Sequence, residues 1–242
     1  MNDRRFVLAA CLAALSVSAL AAERKVTGSG RLLTERRSAS GFDRVAIAGS
    51  FEVELRQGSV EGVELTGDDN LLALVETRVE GTAGSRTLRI APRPDVALEP
   101  SQPIRVRIDL QQLVALDLAG TAKAAATGLH VGKLAIAIGG SGGVTLAALD
   151  AERLALSLGG SGRAQADGRA RSASLSIAGS GGVALAGLAV DDLSVNIAGS
   201  GSAEVQANQR LRISIAGSGR VKHTGAAVPS ISIVGSGDVR RG

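Results

Sequence analysis

From residue 134 onward, apolar and small polar positions alternate with a period of two, and a glycine-rich triplet breaks the alternation at regular intervals. Leu134, Ile136 and Ile138 lead into Gly140-Ser141-Gly142, and Leu154, Leu156 and Leu158 lead into Gly160-Ser161-Gly162. The pattern returns with Leu193, Val195, Ile197 and with Leu211, Ile213, Ile215. Beyond each triplet the alternation resumes, as Val144/Leu146, Ala164/Ala166, Val183/Leu185, Ala203/Val205 and Val221/His223. Period two over five residues predicts a strand with one buried face. Each unit is therefore strand, glycine corner, strand and a variable arc, and no segment of the repeat carries helical periodicity.

The corner serines are Ser141, Ser161, Ser180, Ser200, Ser218 and Ser236, spaced by 20, 19, 20, 18 and 18 residues. Ala119-Gly120-Thr121 reads as a degenerate first copy and Ala48-Gly49-Ser50 as a more distant one. A unit this short cannot bury its own apolar face, so it must stack on copies of itself. The expected fold is all-β: a single-stranded parallel β-helix, or β-solenoid, with 18–20 residues per coil in the second half. The crossover rule makes it right-handed. Composition agrees: there is no Trp or Tyr, there are three Phe, and there are 32 Gly in 242 residues. Ala, Val, Leu and Ile fill a narrow interior, and glycine supplies the turns.

Residues 41–120 are less regular. Val45/Ile47, Val53/Leu55, Val63/Leu65, Thr87–Ile90 and Ile104–Ile108 read as strands, and Pro92–Pro103 as an excursion loop. Leu71–Val79 fits either a helical turn or a strand; strand is the preferred reading. Residues 1–22 read as a secretory leader, with basic Arg4 and Arg5, an apolar run from Phe6 to Val17 and a small-x-small site at Ala19-Leu20-Ala21. Leu8-Ala9-Ala10-Cys11 resembles a lipobox, but too few apolar residues precede Cys11. The expected division is leader 1–22, lead segment 23–40 and solenoid 41–242, exported to the periplasm or cell surface, with no membrane span in the mature chain.

Gly41-Phe42-Asp43-Arg44-Val45, Gly49-Ser50-Phe51-Glu52-Val53, Gly67-Asp68-Asp69-Asn70-Leu71-Leu72 and Thr87-Leu88-Arg89-Ile90 precede the Gly-Ser-Gly series in that order. This order resembles the autotransporter-adhesin head GIN domain family over roughly residues 41–225. The resemblance implies an exported right-handed β-helix and brings no catalytic residues with it.

The chemistry-bearing motifs are weak. Gly139-Gly140-Ser141-Gly142-Gly143 matches a nucleophile elbow, but a strand follows where that motif needs a helix. No Gly-Lys-Ser/Thr follows any corner, so the glycines do not form a phosphate loop. The position that would hold the calcium ligand of a β-roll is Val144 or Ala164. Asp68-Asp69-Asn70 and Asp191-Asp192 read as solvated turns, and His130 and His223 are too far apart in the repeat to share a metal. Asp109, Asp117, Asp150 and Asp167 are scattered, and Arg36-Arg37, Arg105/Arg107, Arg169/Arg171 and Arg240-Arg241 read as solvated edges. Lys+Arg 27 against Asp+Glu 23 is too small an excess for a nucleic-acid protein. No cofactor is expected.

The outward positions carry more information. Four residues before each serine stand Ala137, Ser157, Ser176, Asn196, Ser214 and Ser232; six before stand Ala135, Ala155, Ser174, Ser194, Arg212 and Ser230. Apart from Arg212 these are small and uncharged. After the corner the outward column reads Thr145, Gln165, Ala184, Glu204, Lys222 and Arg240. A solvated face normally carries long charged side chains, so the first face is the candidate interaction surface and the serines form a corner ladder. The reading is a non-enzymatic binding or structural module whose partner is an envelope protein, a polysaccharide or a second copy. The alternative is a carbohydrate-active β-helix enzyme working on acidic polysaccharide.

Overall fold

The computed structural model describes residues 24–82 and 84–242; the leader read over residues 1–22, Cys11 included, lies outside them. In chain order the strands are β1 (Arg24–Thr27), β2 (Leu32–Arg37), β3 (Arg44–Gly49), β4 (Phe51–Gln57), β5 (Gly62–Asp68), β6 (Val75–Thr82), β7 (Ser85–Pro92), β8 (Val96–Glu99), β9 (Ile104–Leu110) and β10 (Ala115–Gly120). They continue as β11 (Lys123–Thr127), β12 (His130–Gly140), β13 (Gly143–Gly160), β14 (Arg163–Gly179), β15 (Gly182–Gly199), β16 (Ser202–Gly217), β17 (Arg220–Thr224), β18 (Pro229–Gly235) and β19 (Asp238–Arg241).

From β10 onward every pairing is parallel and joins a residue to its counterpart one repeat away. Ile138, Leu158, Ile177, Ile197, Ile215 and Ile233 form one such column. The chain is a parallel β-solenoid of about six turns. All members of the alternating inward columns from Leu134 to Ile215 are buried, as are Val144/Leu146 and their successors beyond the corner. Each corner serine donates its backbone N–H to the glycine carbonyl one coil below, at 2.9–3.0 Å.

The two glycines of a corner do different work. Gly199 has φ +120°, and a Cβ there would sit 2.6 Å from the Gly179 carbonyl oxygen. Gly201 faces the core. Only the serine between them points out.

The distant copy at Gly49 is real: β3 lies in register against β10 and β4 against β11. Below that coil the pairing becomes mixed. β9 pairs parallel with β4 but antiparallel with β5, which is antiparallel to β2; β7 pairs parallel with β3 but antiparallel with β6. This antiparallel cap closes the N-terminal end over buried Phe42, Phe51, Leu71 and Leu72.

Two expectations need correction here. Leu71 and Leu72 lie in a short helix, α1 (Asp69–Leu72), and the strand begins only at Val75. Adjacent leucines cannot both be buried on one face of a strand, whereas a helical turn buries both. The proline-rich stretch after Pro92 is not all loop, because β8 within it pairs with β1.

At the C-terminal end, among the described residues, β18 pairs only with β16 and β19 only with β17. Their Ile231 and Ile233 continue the inward columns but remain 46% and 38% exposed.

Candidate functional site

The solenoid presents three sides. The first is formed by the strands that enter each corner. Ala137, Ser157, Ser176, Asn196, Ser214 and Ser232 are all exposed and in lateral register, and Ser174 lies exposed beside them. Ser194 is half-buried. The structure thus gathers the eight face residues on one surface. The same column continues toward the N-terminus through Asp117 and Ala46 to Arg89, so charge returns just below Ala137. The corner serines form a second exposed row along the edge, and their hydroxyls make no hydrogen bond among the described residues.

The second side, beyond the corner, carries Thr145, Gln165, Ala184, Glu204, Lys222 and Arg240 in one exposed, largely polar column.

The third side is the arc, and here the structure assembles groups that appear scattered in the sequence. Asp150 accepts from Arg169 Nε at 2.9 Å and from Nη2 at 2.6 Å, with His130 Nδ1 3.4 Å away. The Arg169 hydrogen bonds hold the Asp150 carboxyl down at about 2. Asp192 accepts from Arg210 in the same bidentate way, at 2.6 and 2.7 Å, and its pKa is likewise lowered. These pairs sit 19 and 18 residues apart, one repeat length, which is the signal that could have found them. Arg169 is therefore an ion-paired edge rather than a merely solvated one. Each carboxylate whose pKa departs clearly from its ordinary value is pushed down: Asp68, Asp69, Glu99, Asp150 and Asp192. A general acid needs the opposite shift. The arc cluster ties coil to coil.

Asp68-Asp69-Asn70 is a clasp rather than a solvated turn. Asp68 is fully buried and accepts from the Ser101 hydroxyl at 2.7 Å, the Ser101 N–H at 2.9 Å and the Gly30 N–H at 2.7 Å. Asp69 takes the Ser29 hydroxyl and Asn70 the Ser29 N–H. Among the described residues no three His, Cys, Asp or Glu side chains come together as a metal site. His223 lies inward as expected but is only 6% exposed, more buried than its place near the end of the stack suggested. Ser141 is followed by β13, a strand, and His130 lies on the arc rather than beside the corner.

The sequence profile of the family described as "Putative auto-transporter adhesin, head GIN domain" matches residues 41–227. The chain belongs to the head GIN domain family. This head GIN chain matches no curated protein. Among solved structures it resembles one described as a "putative lipid binding protein" from Parabacteroides distasonis, with 26% identity and a TM-score of 0.76 over 90% of this chain and 100% of that one. It also resembles a "putative adhesin" from Bacteroides fragilis, with 21% identity and a TM-score of 0.78 over 89% and 99%. A second "putative adhesin" from Parabacteroides distasonis has 25% identity and a TM-score of 0.70 over 90% and 100%. No helix among the described residues of the head GIN chain is long and apolar enough to cross a membrane.

Proposed function

We propose that this head GIN protein is an exported, non-enzymatic binding module of the bacterial cell envelope, adhesin-like in use, with its smooth first side as the contact surface. Residues 1–22 serve as the removed leader, 23–40 as a lead segment and 41–242 as the working domain. The partner is an envelope protein, an envelope polysaccharide or a second copy of the chain, met in the periplasm or at the cell surface. One observation carries the reading. The column from Ala137 to Ser232 is exposed and free of charge, while the exposed column beyond the corner carries Glu204, Lys222 and Arg240. A surface that must stay solvated and unattached resembles the second column, not the first. The descriptions of the similar structures support binding over turnover, since they name adhesins and a lipid binding protein.

The test is to place lysine at Ser176 and Asn196 together. Both side chains point outward, so the fold should survive. Loss of envelope association or self-association supports the reading, and unchanged association with an intact fold overturns it.

A further inference from the structure

We propose that a groove along the arc-side border of the smooth face binds a single-chain anionic amphiphile. The groove has a volume of about 530 Å³. Its floor is built on Ala115, Ala135 and Ala155, and its rim carries Arg44, Lys133 and Arg153. Arg44, Ala115, Ala135, Ala155 and Ser174 are successive register partners, so the groove crosses five strands along the solenoid axis. At about 4.8 Å per strand its length is roughly 19 Å. This is an extended apolar trough, suited to an alkyl chain.

The rim supplies the charge. Lys133 and Arg153 are direct register partners on neighbouring coils and both are exposed. Neither makes an ion pair or a side-chain hydrogen bond among the described residues, whereas farther along the same column Asp192 and Arg210 neutralise each other. Like charges side by side on adjacent strands are unfavourable unless something screens them. At the N-terminal end of the groove, Arg44 Nε is enclosed and donates to nothing, with Asp43 Oδ1 4.0 Å away. A phosphate or carboxylate head brings the missing acceptors, in charge-assisted hydrogen bonds to lysine and arginine. The groove has no aromatic ring on which a sugar could stack. The unpaired cations and the apolar floor match the two ends of one molecule, an anionic head on an alkyl chain.

The groove takes in the Ala135, Ala155 and Ser174 column at the border of the smooth face, but it is tested by amphiphile binding to the isolated protein rather than by envelope association, so the two readings fail or stand separately. The experiment titrates the full-length chain with dodecyl phosphate, below its micelle concentration, by calorimetry. Saturable one-to-one binding is expected. Dodecyl maltoside, which keeps the chain and loses the charge, and inorganic phosphate, which keeps the charge and loses the chain, should each bind at least about tenfold more weakly. The pair Lys133→Glu and Arg153→Glu should weaken dodecyl phosphate by a similar factor. If that pair does not fold, Lys133→Gln with Arg153→Gln gives the same reading. Ala155→Leu fills the floor from an exposed position and should also weaken binding, with the cations untouched. Thr145→Lys with Gln165→Lys, on the side beyond the corner, should leave the titration unchanged. The proposal is overturned by absence of saturable binding, by equal binding of the maltoside or of inorganic phosphate, by binding to anionic vesicles alone, or by folded groove variants that bind as the parent does.

Discussion

A Cβ added to Gly201 would stand 2.6 Å from Cγ2 of Ile177, one coil below. At Gly181, Gly201 and Gly219 the second glycine of the corner is therefore a core position filled by its neighbour's side chain, while the serine before it is solvated. Gly201→Ala should destabilise the chain by about 1–3 kcal/mol through overpacking. Ser200→Ala should stay within about 0.5 kcal/mol. Urea unfolding of both variants checks this; equal effects would mean that the hydroxyl, rather than the missing Cβ, fixes the corner.

Ile177 and Ile197 are register partners in one buried column. Truncating either to alanine should cost about 2–5 kcal/mol. The double variant should depart from the sum by at least about 0.5 kcal/mol, because the two side chains share a packing site. Additive losses below about 1 kcal/mol would show that they do not pack in one stack.

The stacked half of the fold was legible because its signal repeats: alternation places Ile138, Leu158 and Ile197 inward, and glycine marks each corner. The cap was not. Period two identifies β2, β5 and β9 as strands but says nothing about their polarity, and antiparallel pairing ends the coil. Leu71–Val79 fits both periods, Leu71/Val75/Val79 a helical turn and Val75/Thr77/Val79 a strand, and strand is the preferred reading. The smooth face could be read because outward positions follow from inward ones. The Asp150–Arg169 pair lies in the arc, where bulges break the alternation, and only the repeat length connects it; Lys133 and Arg153 stand two positions before Ala135 and Ala155 in the same outward alternation.

Asp68 draws its stabilisation from N–H and O–H groups that donate to its ionised form. Ser101 and then Gly30 hold its pKa below the usual 3.8. That contribution is present above about pH 4 and is lost as pH falls through the lowered folded value. Urea midpoints of the parent chain should fall between pH 4 and pH 2.5. Asp68→Asn should start lower at pH 7, because its amide N–H₂ meets donors, and decline less over that acid range. Parallel curves for the two proteins would remove Asp68 from the clasp.

His223 works in the opposite pH range. Burial, and secondarily Arg241, lowers its pKa from 6.5, and its Nδ1 has no hydrogen-bond partner. The unfolded chain then takes up a proton that the folded chain resists, so stability should decline as pH drops below about 6.5. His223→Leu keeps the inward column filled above Val205 and should flatten the decline between pH 7.5 and pH 5. A decline that persists unchanged in the variant would assign it to another group.

On the proposed function, the uncharged side of the solenoid, not the charged one, makes contact in the envelope. The direct measurement compares three folded proteins for co-sedimentation with native envelope: the parent, Ser176→Lys with Asn196→Lys on the smooth side, and Thr145→Lys with Gln165→Lys beyond the corner. Only the smooth-side pair should release the protein into the soluble fraction, by about tenfold or more for an interface that must desolvate two new ammonium groups. Equal retention of all three proteins, or release by the Thr145/Gln165 pair alone, would contradict that function.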